Sequence, residues 1–114
     1  MKIVIAGGRD FDDYNLLREK CDEIIDSNFA EIVSGGAKGA DTLGERYAKE
    51  RGYDVKLFPA DWKTYGRKAG PIRNLQMAEY GDMLIAFWDN TSSGTKNMIE
   101  NAKKLGLIVH VINY

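Results

Sequence analysis

The chain has 114 residues, the length of one domain, and 16 Lys and Arg against 17 Asp and Glu give a net charge of −1. That balance argues against a polybasic protein that grips nucleic acid by bulk charge. With 44% hydrophobic and 29% charged residues, the composition is globular and argues against a disordered chain.

Met1 to Ala6 is an apolar start without a signal-peptide cleavage pattern, and Ile3-Val4-Ile5-Ala6 reads as a first strand. It runs into Gly7-Gly8-Arg9-Asp10-Phe11. Leu16, Leu17, Cys21, Ile24 and Ile25 then form one stripe at helical spacing, after Asp12 or Asp13 as N-cap. Cys21 on that stripe reads as a buried, inert thiol. Glu31-Ile32-Val33 is a second strand and enters Ser34-Gly35-Gly36-Ala37-Lys38-Gly39-Ala40-Asp41. A second helix runs from about Ala40 to Arg51 and stops at Gly52. Asp54 to Phe58 is a third strand.

Pro59 to Gly70 shows no period, and so long a loop in a small domain suits a lid or a functional segment. A third helix opens near Pro71 and ends before Gly81. Met83 to Phe87 is a fourth strand and runs into Trp88-Asp89-Asn90-Thr91-Ser92-Ser93-Gly94-Thr95. The last helix follows, with Met98, Ile99, Ala102 and Leu105 as its apolar face, and ends at Gly106. Ile108 to Ile112 is the fifth strand and contains His110, a sheet residue.

Strands that alternate with helices imply an α/β fold with a parallel sheet covered on both faces. No linker or internal repeat interrupts residues 1–114, so one domain is expected. One cysteine and one histidine exclude an intrachain disulfide, a zinc-cysteine cluster and a histidine metal cluster. The longest apolar runs are about five residues, far short of the ~20 that span a bilayer, so no membrane partner is expected and the default location is the cytoplasm.

In an open α/β sheet, ligands bind beyond the carboxyl ends of the strands. The glycine-rich loops fall there, where amides and helix dipoles attract anions. Each feature also has a plainer use. Gly7-Gly8 can make a tight turn, Asp41 can serve the dipole of its helix, and Ser92, Ser93 and Thr95 can cap the next one. Lys96 opposes that dipole, which an anion nearby would explain. The 34–41 loop is neither a Walker A loop nor a G-x-G-x-x-G pattern. From Ala60 to Leu75 there are four basic residues and one acidic, among them Arg67, Lys68 and Arg73, beside Trp62 and Tyr65. Aromatics beside arginines suit a base stacked above a phosphate, or else an aromatic packed over the sheet edge. From Asp10 to Glu31 there are eight acidic residues and two basic.

Together G-G-R-D-F, S-G-G-A-K-G-A-D, F-P-A-D-W-x-x-Y-G-R-x-A-G-P-x-R-N-x-x-M and F-W-D-x-x-S-S-G-T resemble the SLOG superfamily, in its YspA/YpsA-related branch. The resemblance spans nearly the whole chain. It implies a Rossmann-like three-layer sandwich with a five-stranded parallel sheet in the order 3-2-1-4-5. It also implies a small nucleotide-type ligand, of the AMP or ADP-ribose kind, held by a sensor or binding protein. The expected contacts are Gly7, Gly8, Arg9, Ser34, Gly35, Gly36, Lys38, Gly39, Asp41, Arg67, Arg73, Asn74, Trp88, Asp89, Ser92, Ser93, Gly94 and Thr95. Gly35, Gly36, Gly94 and Thr95 would offer amides to phosphate, Trp88 or Trp62 would stack on the base, and Asp89 would meet the ribose.

Two activities of the superfamily are alternatives. LOG members are phosphoribohydrolases with an arginine on the third helix and a G-G-x-G-T-x-x-E motif opening the fourth. Arg73-Asn74 and Gly94-Thr95 match, but the glutamate position is Met98, and Glu100 lies about 200° round the helix. Asp89, with Arg73, would have to carry any N-glycosidic cleavage. DprA-like members bind single-stranded DNA, which wants a basic groove with stacking aromatics. The resemblance also suggests a homodimer through the third and fourth helices, although Ile72, Leu75, Met77 and Ala78 suit a core equally well. No cofactor and no metal site is implied.

Overall fold

The computed structural model describes residues 1–26 and 28–114. Its strands are β1 (Lys2–Gly7), β2 (Glu31–Ser34), β3 (Asp54–Leu57), β4 (Met83–Trp88) and β5 (Ile108–Asn113). Its helices are α1 (Tyr14–Ile24), α2 (Ala40–Arg51), α3 (Trp62–Tyr65), α4 (Ala69–Tyr80) and α5 (Ser93–Lys104), with a 3-10 turn over Gly66–Lys68. All neighbouring strands pair in parallel, in the order β3-β2-β1-β4-β5. The fold is thus the Rossmann-like α/β sandwich expected from the motifs.

The pleat sorts the strand residues into two cores. Ile3, Ile5, Ile32, Ile85 and Phe87 face α1 and α2, where Leu17, Cys21, Tyr47 and Ala48 cover them. Val4, Ala6, Val33, Leu84 and Ala86 face α4 and α5, under Met77, Ala78, Met98 and Ala102. With both faces covered, the three central strands read as continuous apolar runs. The outer strands differ from that expectation. All four residues of β3 are exposed, and Ile108 and Val111 of β5 are 51% and 38% exposed. They are sheet edges, with a neighbour on one side only, and β-branched residues suit an edge strand as well as a buried one.

Helix boundaries follow local chemistry. Asp13 caps α1, its carboxylate accepting from the Leu16 amide at 3.1 Å. Gly52 ends α2 in the left-handed region, with φ 74°. Pro59 to Gly70 is not the unstructured loop that its lack of period suggests. Asp61 accepts from the Thr64 amide at 3.1 Å and caps the single turn of α3, and the 3-10 turn leads directly into α4. One helical turn is too short to show a 3.6-residue repeat. Helix α4 starts at Ala69, which puts Pro71 inside its first turn, where its missing N–H costs no hydrogen bond. Of the expected α4 stripe, Met77 and Ala78 lie in the core and Leu75 is 44% exposed. Among the described residues, no helix is long and apolar enough to cross a membrane.

Candidate functional site

The strand order reverses between β1 and β4, and the loops after these strands part there. A cavity of about 730 Å³ opens at that point. Its walls come from the β1–α1 loop (Gly7, Gly8, Arg9, Asp10), the start of α2 (Asp41), the α3–α4 segment (Trp62, Arg67, Arg73, Asn74) and the β4–α5 loop (Asp89, Ser92, Ser93, Gly94, Thr95). Ala6, Met77 and Met98 form an apolar floor. A second cavity of about 430 Å³ lies over Gly35, Gly36 and Lys38 and shares Arg9, Ala37, Trp62 and Arg73 with the first.

The two glycine loops are fixed to each other. The Ala40 amide donates to the Gly8 carbonyl at 3.2 Å. Gly39 has φ 79°, and a β-carbon on it would strike the backbone of Gly8 and Arg9. On the far side of Gly8 lies the Tyr114 hydroxyl, which donates to Asp10 Oδ1 at 2.8 Å. Tyr114 also packs edge-on against Phe11. The end of β5 therefore props the β1–α1 loop.

Within the 34–41 loop, backbone amides have acceptors of their own. Gly36 N donates to Ser34 Oγ at 3.1 Å, and Ala37 N donates to Asp41 Oδ2 at 3.3 Å. Ser34 is buried and donates in turn to Glu45 at 2.7 Å. Asp41 is buried too, at 6% exposure. Burial pushes its carboxyl up to about 6, against the opposing pull of the Ala37 amide and the Arg73 guanidinium.

Arg73 and Asn74 tie the two loops together. Arg73 donates from Nη1 to the Gly35 carbonyl at 2.6 Å and from Nε to Asn74 Oδ1 at 3.2 Å. Asn74 Nδ2 donates to the Gly94 carbonyl at 3.3 Å and to Asn97 Oδ1 at 3.1 Å. Burial and then the neighbouring Arg9 pull the Arg73 pKa down, while Asp41 pulls it up. Among the described residues, Arg9, Lys38, Arg67 and Arg73 make no ion pair within 4.0 Å.

The β4–α5 loop is built around Asp89. Its Oδ1 accepts from Thr91 N at 2.9 Å and Ser92 N at 2.8 Å, and these amides hold its pKa below the usual carboxylate range. Ser92 is the N-cap of α5, and its hydroxyl faces Thr95 Oγ1 at 3.1 Å. The amides of Ser93 and Gly94 meet no acceptor among the described residues, and the space in front of Gly94 is open.

Of the expected contacts, fifteen line the two cavities. Ser34, Gly39 and Trp88 line neither. Ser34 and Gly39 shape their loop from behind, and Trp88 donates Nε1 to the Ser92 carbonyl at 3.1 Å, bracing the β4–α5 turn. Trp62, 49% exposed, is the aromatic side chain on the shared wall. Asp10, Asn97 and Met98 also line the first cavity, and only their loop or helix position could have signalled it. No three His, Cys, Asp or Glu side chains gather to hold a metal among the described residues.

The sheet order and the position of this cavity define a Rossmann-like α/β domain with its opening at the topological switch point. A family model described as "YAcAr: YspA, cpYpsA-related SLOG family" matches residues 1–65. The chain is also 35% identical to "Gene 61 protein" of Mycobacterium phage D29 over 121 aligned positions, covering 99% of this chain and 95% of that one. The chain belongs to the YspA/cpYpsA-related SLOG family. No solved structure matches it.

Proposed function

We propose that the protein binds a nucleotide or nucleotide derivative in the first cavity, as a binding or sensing protein. The observation that carries this reading is the convergence of Arg9, Arg67 and Arg73, none in an ion pair among the described residues, with the free Ser93 and Gly94 amides, above a floor of Met77 and Met98. Cations and amides at a helix N-terminus suit a phosphate, and an apolar floor suits a base. Trp62 supplies the stacking face. Asp89, kept ionised, has Oδ2 left to accept from a ribose hydroxyl. Lys38 adds charge behind Arg73. Membership of a SLOG family agrees with a nucleotide-type ligand.

Hydrolysis of a nucleoside monophosphate is a second reading, and one observation favours it. Asp41 lines the cavity with its pKa raised to about 6, a value suited to proton transfer near neutrality. Asp89 is not suited to donate a proton, because two amides stabilise its anion.

Thermal shift with AMP, ADP-ribose and related nucleotides, and chromatography of the same mixtures, separates the readings. A binder gains melting temperature and leaves the nucleotide intact. A hydrolase releases free base, and Asp41→Asn stops that release. Arg73→Ala should weaken ligand binding at least tenfold, a loss of about 1.4 kcal/mol or more, as removal of a charge-assisted contact does. No stabilisation by any nucleotide, with both cavities intact, overturns the proposal.

A further inference from the structure

The two cavities differ in charge. In the first, Asp10, Asp41 and Asp89 offset Arg9, Arg67 and Arg73. The second is lined by Arg9, Lys38 and Arg73 and by no acidic side chain. Arg9 and Arg73 stand on the wall between them, close enough that each opposes the charge of the other. Asp41 answers part of the Arg73 charge from the side of the first cavity, but no carboxylate faces these cations in the second, which suits an anion there. Arg73 has fixed Nη1 and Nε on protein acceptors, while its Nη2 meets no acceptor among the described residues. Beyond Arg73, the Gly36 and Ala37 amides are occupied by Ser34 and Asp41, so the second cavity offers side-chain cations rather than a free amide nest.

We infer that the ligand is a nucleoside polyphosphate, with its first phosphate on the Arg9–Arg73 wall and its distal phosphate beside Lys38 in the second cavity. This rests on the nucleotide-binding reading of the first cavity and extends it. A monophosphate would satisfy the wall and leave the second cavity unused. A neutral distal arm would leave Lys38 without a counter-charge in the second cavity. A distal phosphate meets Lys38 directly and also draws on Arg73.

Calorimetric titration of the whole chain with the mono-, di- and triphosphates of the four common nucleosides, and with ADP-ribose, tests this at low salt with a chelator present. For the preferred base, the diphosphate should bind about tenfold more tightly than the monophosphate, the gain expected of one added charge-assisted contact. In Lys38→Ala the ratio of the two affinities should fall close to one, and an unchanged melting temperature would show that this exposed residue was removed without loss of fold. A monophosphate that binds as tightly as the diphosphate overturns the inference and leaves nucleotide binding standing. So does a ratio that survives in Lys38→Ala, or ADP-ribose binding more tightly than ADP. If none of these compounds binds, both the inference and the reading beneath it fall.

Discussion

Asp41 occupies the place in its loop that a bound anion would take elsewhere. Its carboxylate accepts from the loop amides, and its burial makes ionisation costly. Its folded pKa, about 6, lies above the ordinary value of 3.8, so the folded state holds the proton more tightly than the unfolded state. The stability this confers is complete below about pH 4 and is lost as pH rises through about 6. Asp41→Asn keeps an acceptor oxygen and removes the titration. The stability difference between variant and parent should therefore move by about 2 kcal/mol in favour of the variant between pH 4 and pH 7, read from urea unfolding at each pH. The comparison cancels the opposite contributions of Asp22 and Asp89, whose pKa values are lowered in both proteins. A constant difference across that range would place Asp41 in contact with water.

Loops and helix ends, rather than side chains alone, set the geometry of the cavity. At Gly39 the 34–41 loop crosses the backbone of the β1–α1 loop with no room for a β-carbon. Gly39→Ala should lower stability by about 2 kcal/mol, from the positive φ and the displaced backbone together. It should also weaken ligand binding more than its stability loss explains, since Gly8 and Arg9 would move. Equal melting temperatures for variant and parent would refute this.

At the level of elements, much was legible in advance. Apolar runs such as Ile3–Ala6 and Met83–Phe87 announce buried strands, and glycine-rich stretches between a strand and a helix announce the loops that line the two cavities. What stayed hidden has a common physical cause. Trp88 sits at the end of a strand and reads as a stacking face, yet it lines neither cavity and its Nε1 donates to the Ser92 carbonyl of the same turn, while Asp89 lines the first cavity and also holds that turn through Oδ1. Short-range bonds from side chain to backbone depend on torsion angles that residue identity leaves open. The single turn of α3 left no period for the same reason of scale.

Over the whole molecule, near-neutrality conceals a separation of charge. The acidic excess lies between Asp10 and Glu31, while Arg9, Lys38, Arg67 and Arg73 gather around the cavities. An anion would therefore meet a local positive field at the second cavity of a protein whose net charge is −1. Nucleotide affinity should fall roughly threefold or more as salt rises from ~50 to ~500 mM, because these cations are near the surface and screened. A flat salt response, measured by the same calorimetry, would mean that the phosphate is not what the site grips.

The Tyr114–Asp10 hydrogen bond joins residues 104 positions apart. The loop that carries Gly8 and Arg9 is made early in synthesis, but its prop arrives with β5. Closing so long a span is slow and comes late in folding. Until β5 docks beside β4, a nascent chain carries the β1–α1 loop without the Tyr114 prop. If the proposed function holds, ligand capture would then require a chain folded through β5.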